Sequence, residues 1–151
     1  YKRALGALPL GAPVRIDGPF GSLTLHNKRE RAAVLIAGGI GITPFMSMLR
    51  HAANSASQQR LVLLYSNRRP EDSAFLSELQ RMEGEHRNFR LVATMTGMAA
   101  SRLPWMGETG QVDEALLKRI ADGLPDPIYY VAGPPAMVAG LRDALDPRQG
   151  K

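Results

Sequence analysis

The sequence predicts an α/β fold: an open, doubly wound parallel sheet of strand order 3-2-1-4, preceded by a short β remnant. Three observations lead there. Short apolar runs at Val34–Ala37, Leu61–Tyr65, Phe89–Thr96 and Ile128–Ala132 have the length of largely buried strands. Between them lie stretches whose apolar residues recur at helical spacing. The first run leads into Gly38, Gly39 and Gly41, then Thr43 and Pro44, a turn suited to passing from strand to helix.

Residues 1–31 read differently from the rest. Leu8–Pro13 is turn material, and Val14-Arg15-Ile16 alternates like half a strand. Gly18-Pro19-Phe20-Gly21 turns again, and Ser22–Leu25 alternates once more. Two short strands punctuated by glycine and proline suit the end of an antiparallel barrel, with an irregular leader as the alternative, and they make no core alone. Asn27–Arg31 is a charged link, and the main domain is expected over 32–151.

After the glycine turn, Phe45, Met48, Leu49 and Ala52 share one helical face, with Thr43 placed as N-cap and Pro44 at the first helical position. The Leu61 strand ends in the loop Ser66–Pro70. Phe75, Leu76, Leu79 and Met82 give the second helix, with Glu71 and Asp72 in its first turn. Gly97–Gly110 is a long loop holding Trp105. Asp113 is placed to cap a third helix bearing Leu116, Leu117 and Ile120. Gly133-Pro134-Pro135 turns the last strand into a helix carrying Met137, Val138, Leu141 and Leu145. The Val34 strand is expected at the centre, flanked by the Leu61 and Ile128 strands, with the Phe89 strand outside Leu61.

Composition narrows the function classes. With 151 residues, 44% hydrophobic and 22% charged, the chain has the makings of one domain with a real core. It contains no cysteine, which excludes disulfides, thiolate metal sites and thiol nucleophiles. The cytoplasm is the expected compartment. No apolar run approaches the ~20 residues of a membrane span. The net charge of +5 is scattered without an aromatic-interleaved basic stripe, so no nucleic-acid partner is expected. An anionic ligand or an acidic protein suits that charge. His26, His51 and His86 share no spacing and read as surface residues, and no metal-ligand pattern occurs. The chain begins at Tyr1, which suggests a piece of something longer.

The glycine turn carries the clearest chemistry. Free amide donors and the positive end of a helix dipole at one spot favour a phosphate or pyrophosphate. The spacing is Gly-x-Gly-x-x-Pro, so the usual dinucleotide fingerprint Gly-x-Gly-x-x-Gly is not met, and no Walker lysine follows. A plain strand-to-helix turn is the alternative. In open parallel sheets ligands sit beyond the carboxyl ends of the strands. Gly38–Pro44, Ser66–Arg69, Thr94–Thr96 and Gly133–Pro135 all fall at that edge.

Together these stretches resemble the nicotinamide-binding domain of the ferredoxin–NADP reductase family. The resemblance rests on Gly39–Pro44, on Tyr65–Asp72, on Thr109-Gly110 and on Tyr130–Met137. Gly18–Gly21 resembles the end of that family's flavin-binding barrel. The resemblance implies a relay in which NAD(P)H passes a hydride to FAD, and electrons then go to an iron–sulfur, haem or flavin partner. It implies that Gly39, Gly41, Ile42, Thr43 and Pro44 line the pyrophosphate and nicotinamide approach. Ser66, Asn67, Arg68 and Arg69 would surround the adenosine ribose, Thr94 and Met95 would lie along the groove, and Gly133, Pro134 and Met137 would flank the nicotinamide ribose.

Three departures bear on that expectation. The family's flavin-anchoring Arg-x-Tyr-Ser segment is absent, Ala132 stands where relatives often have cysteine, and the chain stops at 146–151, where relatives continue into a further strand. The chain alone is therefore expected to be inactive for want of the FAD domain. A non-catalytic nucleotide-binding or regulatory module is the second reading. For the cofactor, the second strand ends Ser66-Asn67-Arg68-Arg69 with no acid before Glu71. Serine, asparagine and arginine suit a 2′-phosphate, so NADP is expected, with NAD the alternative.

Overall fold

The computed structural model describes residues 1–18 and 20–145. Ten helices and strands run in the order α1 (Lys2–Gly6), β1 (Ala33–Gly38), α2 (Ile42–Asn54), β2 (Leu61–Asn67), α3 (Leu76–Glu85), β3 (Phe89–Met95), β4 (Glu108–Thr109), α4 (Glu114–Ala121), β5 (Ile128–Ala132) and α5 (Pro135–Leu145). All strands pair in parallel, in the order β4-β3-β2-β1-β5. The four long strands keep the expected order, and the two-residue β4, inside the loop after β3, adds an edge.

β1 is central because its side chains need cover on both sides. Ala33 to Ala37 are all 0% exposed. Leu35 joins Phe45, Leu49, Leu63, Tyr65 and Leu79 under α2 and α3. Val34 and Ile36 join Val62, Leu64, Leu116, Ile120 and Leu141 under α4 and α5. Successive residues of one strand thus feed two separate cores, the two-residue period of a sheet covered on both faces. Burying each large side chain contributes about 1.5–3 kcal/mol.

Several local expectations are corrected. The glycine turn already winds as a 3-10 turn over Gly39–Gly41, so α2 starts at Ile42 with Gly41 as its N-cap residue. Thr43 therefore lies inside the first turn, where its hydroxyl donates back to the Ile40 carbonyl at 3.1 Å. Pro44 is the third helical residue, still among positions whose N–H has no helical acceptor. Glu71 and Asp72 occupy a separate 3-10 turn, Pro70–Asp72, because Phe75 takes a left-handed conformation (φ 62°) and delays α3 to Leu76. Asp113 does cap α4, its carboxylate accepting from the Leu116 N–H at 2.8 Å.

The β remnant is the largest correction. No strand forms among the described residues before Ala33; Lys2–Gly6 makes one short helix, and the rest is irregular. Val14, Ile16 and Phe20 are 58%, 87% and 86% exposed. Alternation supplies strand propensity, but no ladder forms without a neighbouring strand to accept its hydrogen bonds. The expected absence of a further strand at 146–151 lies outside the described residues.

Candidate functional site at the carboxyl edge of the sheet

The ladder registers bring the strand ends into one row. Gly38 of β1 stands opposite Ser66 of β2, Ser66 opposite Thr94 of β3, and Thr94 opposite Glu108 of β4. Beyond the strands the pairing continues through the loops, with Thr96 N–H donating to the Asn67 carbonyl at 2.9 Å and Gly97 N–H to the Arg68 carbonyl at 2.7 Å.

The glycines of the turn do different jobs. A Cβ on Gly41 would run into the Ala132 carbonyl and lie 2.8 Å from the Gly133 nitrogen. A Cβ on Gly38 would come 2.9 Å from Pro134 Cδ and press on the Met137 sulfur. These two glycines let the end of β1 pack directly on the turn after β5. Gly39 has φ +53° and nothing within 4 Å of its would-be Cβ, so it needs glycine for its backbone angle and faces open space. α2, thirteen residues long, carries no acid in its first turn, so the positive end of its dipole is not neutralised there.

A cavity of about 560 Å³ opens beside this junction, on the α4–α5 face. Ser66, Thr96, Gln111, Asp113, Pro134 and Met137 supply its main walls. Met137 belongs both to the cavity and to the packing against Gly38, which joins the cavity to the glycine turn. Gln111 was absent from the residues singled out in the sequence, where Thr96 stood only as the end of an edge loop and Asp113 only as a helix cap. All three lie in loops without periodicity, and only the fold brings them to the cavity.

Other expected residues lie elsewhere. Ile42 is 0% exposed and belongs to the core, leaving only its backbone for the turn. Thr94 is also 0% exposed, its hydroxyl donating to the Gly110 carbonyl at 2.8 Å, and Met95 is 1% exposed. Both support the edge from beneath. Asn67 alternates with Ser66, so its side chain turns to the α2–α3 face beside Tyr65. Its buried Nδ2 has no partner in hydrogen-bonding geometry. Burial raises the Tyr65 phenol, while the nearby Asn67 amide and the Ala74 backbone oppose that shift. The phenol donates to the Ala74 carbonyl at 3.1 Å.

The two arginines part company. Arg69 forks onto Asp72, with Nε 2.7 Å from Oδ2 and Nη2 2.9 Å from Oδ1, and Nη1 donates to the Ala100 carbonyl at 3.3 Å. The Arg69 hydrogen bonds hold Asp72 below the ordinary carboxylate range. Glu71 accepts the Arg102 N–H at 3.0 Å and the Ser101 hydroxyl at 2.9 Å, and these bonds, the backbone one first, lower it too. Arg68 is exposed and forms no ion pair among the described residues. The described residues contain no cluster of metal-ligating side chains and no helix long and apolar enough to cross a membrane. His51 is exposed as expected, whereas His26 and His86 are half-buried.

Residues 35–143 match the family model of the oxidoreductase NAD-binding domain. The chain belongs to that family. Among oxidoreductase NAD-binding domains, it is 29% identical over 143 residues to the reductase component of propane 2-monooxygenase from Mycolicibacterium smegmatis, covering 93% of this chain and 41% of that protein. It is 34% identical over 158 residues to the nitrate reductase (NADPH) of Emericella nidulans, covering 94% of this chain and 18% of that one. The chain thus spans less than half the length of these relatives. Among solved structures, the cytochrome b5 reductase domain of Ulva prolifera nitrate reductase matches with a TM-score of 0.75 and 25% identity, over 96% of this chain and 58% of that one. The ferredoxin reductase of carbazole 1,9a-dioxygenase shares the fold at a TM-score of 0.64 and 22% identity, over 85% and 37%.

Proposed function

We propose that this chain is the NAD(P)H-binding domain of a flavin-dependent reductase, with the dinucleotide lying along the carboxyl edge from the glycine turn into the cavity beside Ser66. The observation that carries this reading is the junction of Gly38, Met137 and the cavity. It brings an open glycine turn, an unneutralised helix start and a half-open cleft side by side. The residues present fit the cofactor, since Gly39 leaves room for a ligand against the main chain and the cavity wall offers hydroxyls and amides. The family membership and the names of the relatives support the same reading.

When bound, the nicotinamide supplies a hydride to FAD held elsewhere in the protein, and the flavin serves an iron–sulfur, haem or flavin acceptor. This chain's own residues bind and orient. The turn backbone, Gly39 foremost, serves the pyrophosphate, while Gly41, Ile42 and Thr43 shape it from behind, the Ile42 N–H donating back to the Gly39 carbonyl. Pro44 holds the helix start, and Gly133, Pro134 and Met137 flank the nicotinamide end. Thr94 and Met95 fix the strand end that positions Thr96. No group in this set acts as an acid or base, and none is needed, because the protein's contribution to hydride transfer is mainly orientation.

For the adenosine end, Ser66 and Arg68 are the groups available to a 2′-phosphate. Glu71 and Asp72 are engaged by Ser101, the Arg102 amide and Arg69. Asp113 caps α4, and Glu114 pairs with Lys118 at 2.7 Å. Among the described residues, no unengaged carboxylate stands at the end of β2 to accept from a ribose 2′-hydroxyl, the feature that favours NAD. NADP(H) is therefore the cofactor proposed. One observation favours NADH instead: Arg69, already held by Asp72, withdraws a cation from the 2′-phosphate. Calorimetry with 2′-phospho-AMP and AMP separates the two. Preference for 2′-phospho-AMP, lost about ten-fold or more in Arg68→Ala, is expected from one charge-assisted hydrogen bond. Equal affinities would favour NADH.

A further inference from the structure

Residues 1–31 are held to the sheet domain at very few points. Among the described residues, the side-chain hydrogen bonds and ion pairs between the two regions involve only His26 and Arg31 on one side and Gln59, Asp126 and Tyr130 on the other. The His26 N–H donates to the Tyr130 hydroxyl at 2.8 Å. The imidazole stacks on the Tyr130 ring, centroids 6.2 Å apart and planes 20° apart. Gln59 Nε2 lies 3.2 and 3.3 Å from the two His26 ring nitrogens and donates to the Arg31 carbonyl at 3.2 Å. Gln59 is only 4% exposed, so this polar side chain is fixed in the domain rather than lying on it. Arg31 completes the attachment, its Nε donating to the Asp126 carbonyl at 2.7 Å and a terminal nitrogen pairing with the Asp126 carboxylate at 3.0 Å. Leu25 adds one apolar contact to the α2–α3 core.

Around these contacts the segment is loosely packed. A groove of about 540 Å³ separates Leu23–Arg29 from α2, and the residues before Leu25 are almost all exposed. Close packing therefore does not fix the segment's direction; the polar contacts do. A buried glutamine that satisfies a backbone carbonyl and an imidazole at once is costly to disconnect, since each freed group loses its partner.

We infer that His26, Gln59 and Tyr130, backed by Arg31 and Asp126, form a fixed joint that sets the direction in which residues 1–24 leave the nucleotide-binding domain. This rests on the proposed function and on the resemblance of Gly18–Gly21 to the end of a flavin-binding barrel. Hydride transfer demands that donor and acceptor be held at contact distance, and a joint between their two carriers governs that approach. None of the five residues lines the nucleotide cavity, so they are positioning residues.

The chain's lack of cysteine allows a clean test, because Ser22→Cys and Gln80→Cys introduce the only two thiols for spin labels. Ser22 precedes the joint, and Gln80 is exposed on α3. Pulsed-EPR distance distributions are measured on the doubly labelled chain and on the same chain bearing Tyr130→Phe or His26→Ala. The unsubstituted joint gives one narrow distribution. Both variants broaden it and add a longer-distance component, while 2′-phospho-AMP affinity stays unchanged. Tyr130→Phe removes a single hydroxyl and so separates the joint from any general loss of fold. A broad distribution in the unsubstituted chain, or an unchanged one in both variants, would overturn the joint. A narrow distance in a chain that binds no nucleotide contradicts the proposed function and supports the joint.

Discussion

Val14-Arg15-Ile16 and Val34-Leu35-Ile36 carry similar strand-forming side chains, yet the first stretch lies in the open and the second is sealed. Val14 and Ile16 are 58% and 87% exposed, while Val34, Leu35 and Ile36 are each 0% exposed. The difference is in their neighbours. β1 has β2 on one side and β5 on the other, with helices above and below, whereas residues 14–16 pair with nothing among the described residues. Strand propensity describes fitness for a half-built surface, and the partner decides whether it becomes structure.

The sharpest way to break that comparison is to truncate matched residues. Leu35→Ala and Leu63→Ala should each cost about 2–5 kcal/mol by chemical denaturation, because both leave cavities in the α2–α3 core. Ile16→Ala should stay within about 0.5 kcal/mol. A comparable loss at Ile16 would show that the first region packs on the domain after all.

The glycine turn gives a smaller effect. Gly41→Ala drives a methyl group into the Ala132 carbonyl, a backbone atom with little freedom to yield, and should cost about 1–3 kcal/mol. Gly39→Ala meets open space and incurs only its left-handed backbone penalty, about 1–2 kcal/mol. Thermal melts of the pair rank the two causes, and a larger loss at Gly39 would reverse the assignment.

Much of this edge could be read from residue order. Continuous apolar runs located the four long strands, and the glycine turn with Ser66–Arg69 and Gly133–Met137 marked the end at which they converge. Two kinds of feature escaped. Thr43 and Asp72 follow capping rules in sequence, but the 3-10 turn at Gly39–Gly41 and the left-handed Phe75 moved the helix starts away from them. Thr94 and Thr96 differ by two residues, yet one is sealed beneath Gly110 and the other lines the cavity, because the strand ends between them. Whether a side chain at a strand end is buried or open depends on the loop above it, which local pattern does not encode.

The smallest expected effect concerns the loop tie at Arg69. Glu71 and Asp72 are both held below the ordinary carboxylate range, so they bind protons more readily when the tie is open. The tie is therefore complete above that range and is lost as pH falls through the lowered values. By NMR, the Arg102 amide, which donates to Glu71, should shift on acidification below about pH 4, with the amides of Leu10, Gly11 and Ala12, far in sequence from any carboxylate, as the unresponsive control. An Arg102 amide that ignores acid would mean the tie is not formed in solution.

The claim that the nucleotide lies along the carboxyl edge is tested most directly by amide chemical-shift mapping during titration with NADP+. The largest perturbations are expected at Gly39–Thr43, Ser66–Arg68, Thr96 and Gly133–Met137, with residues 1–24 unmoved. Perturbations centred instead on the groove between Leu23–Arg29 and α2, with the glycine turn silent, would contradict it.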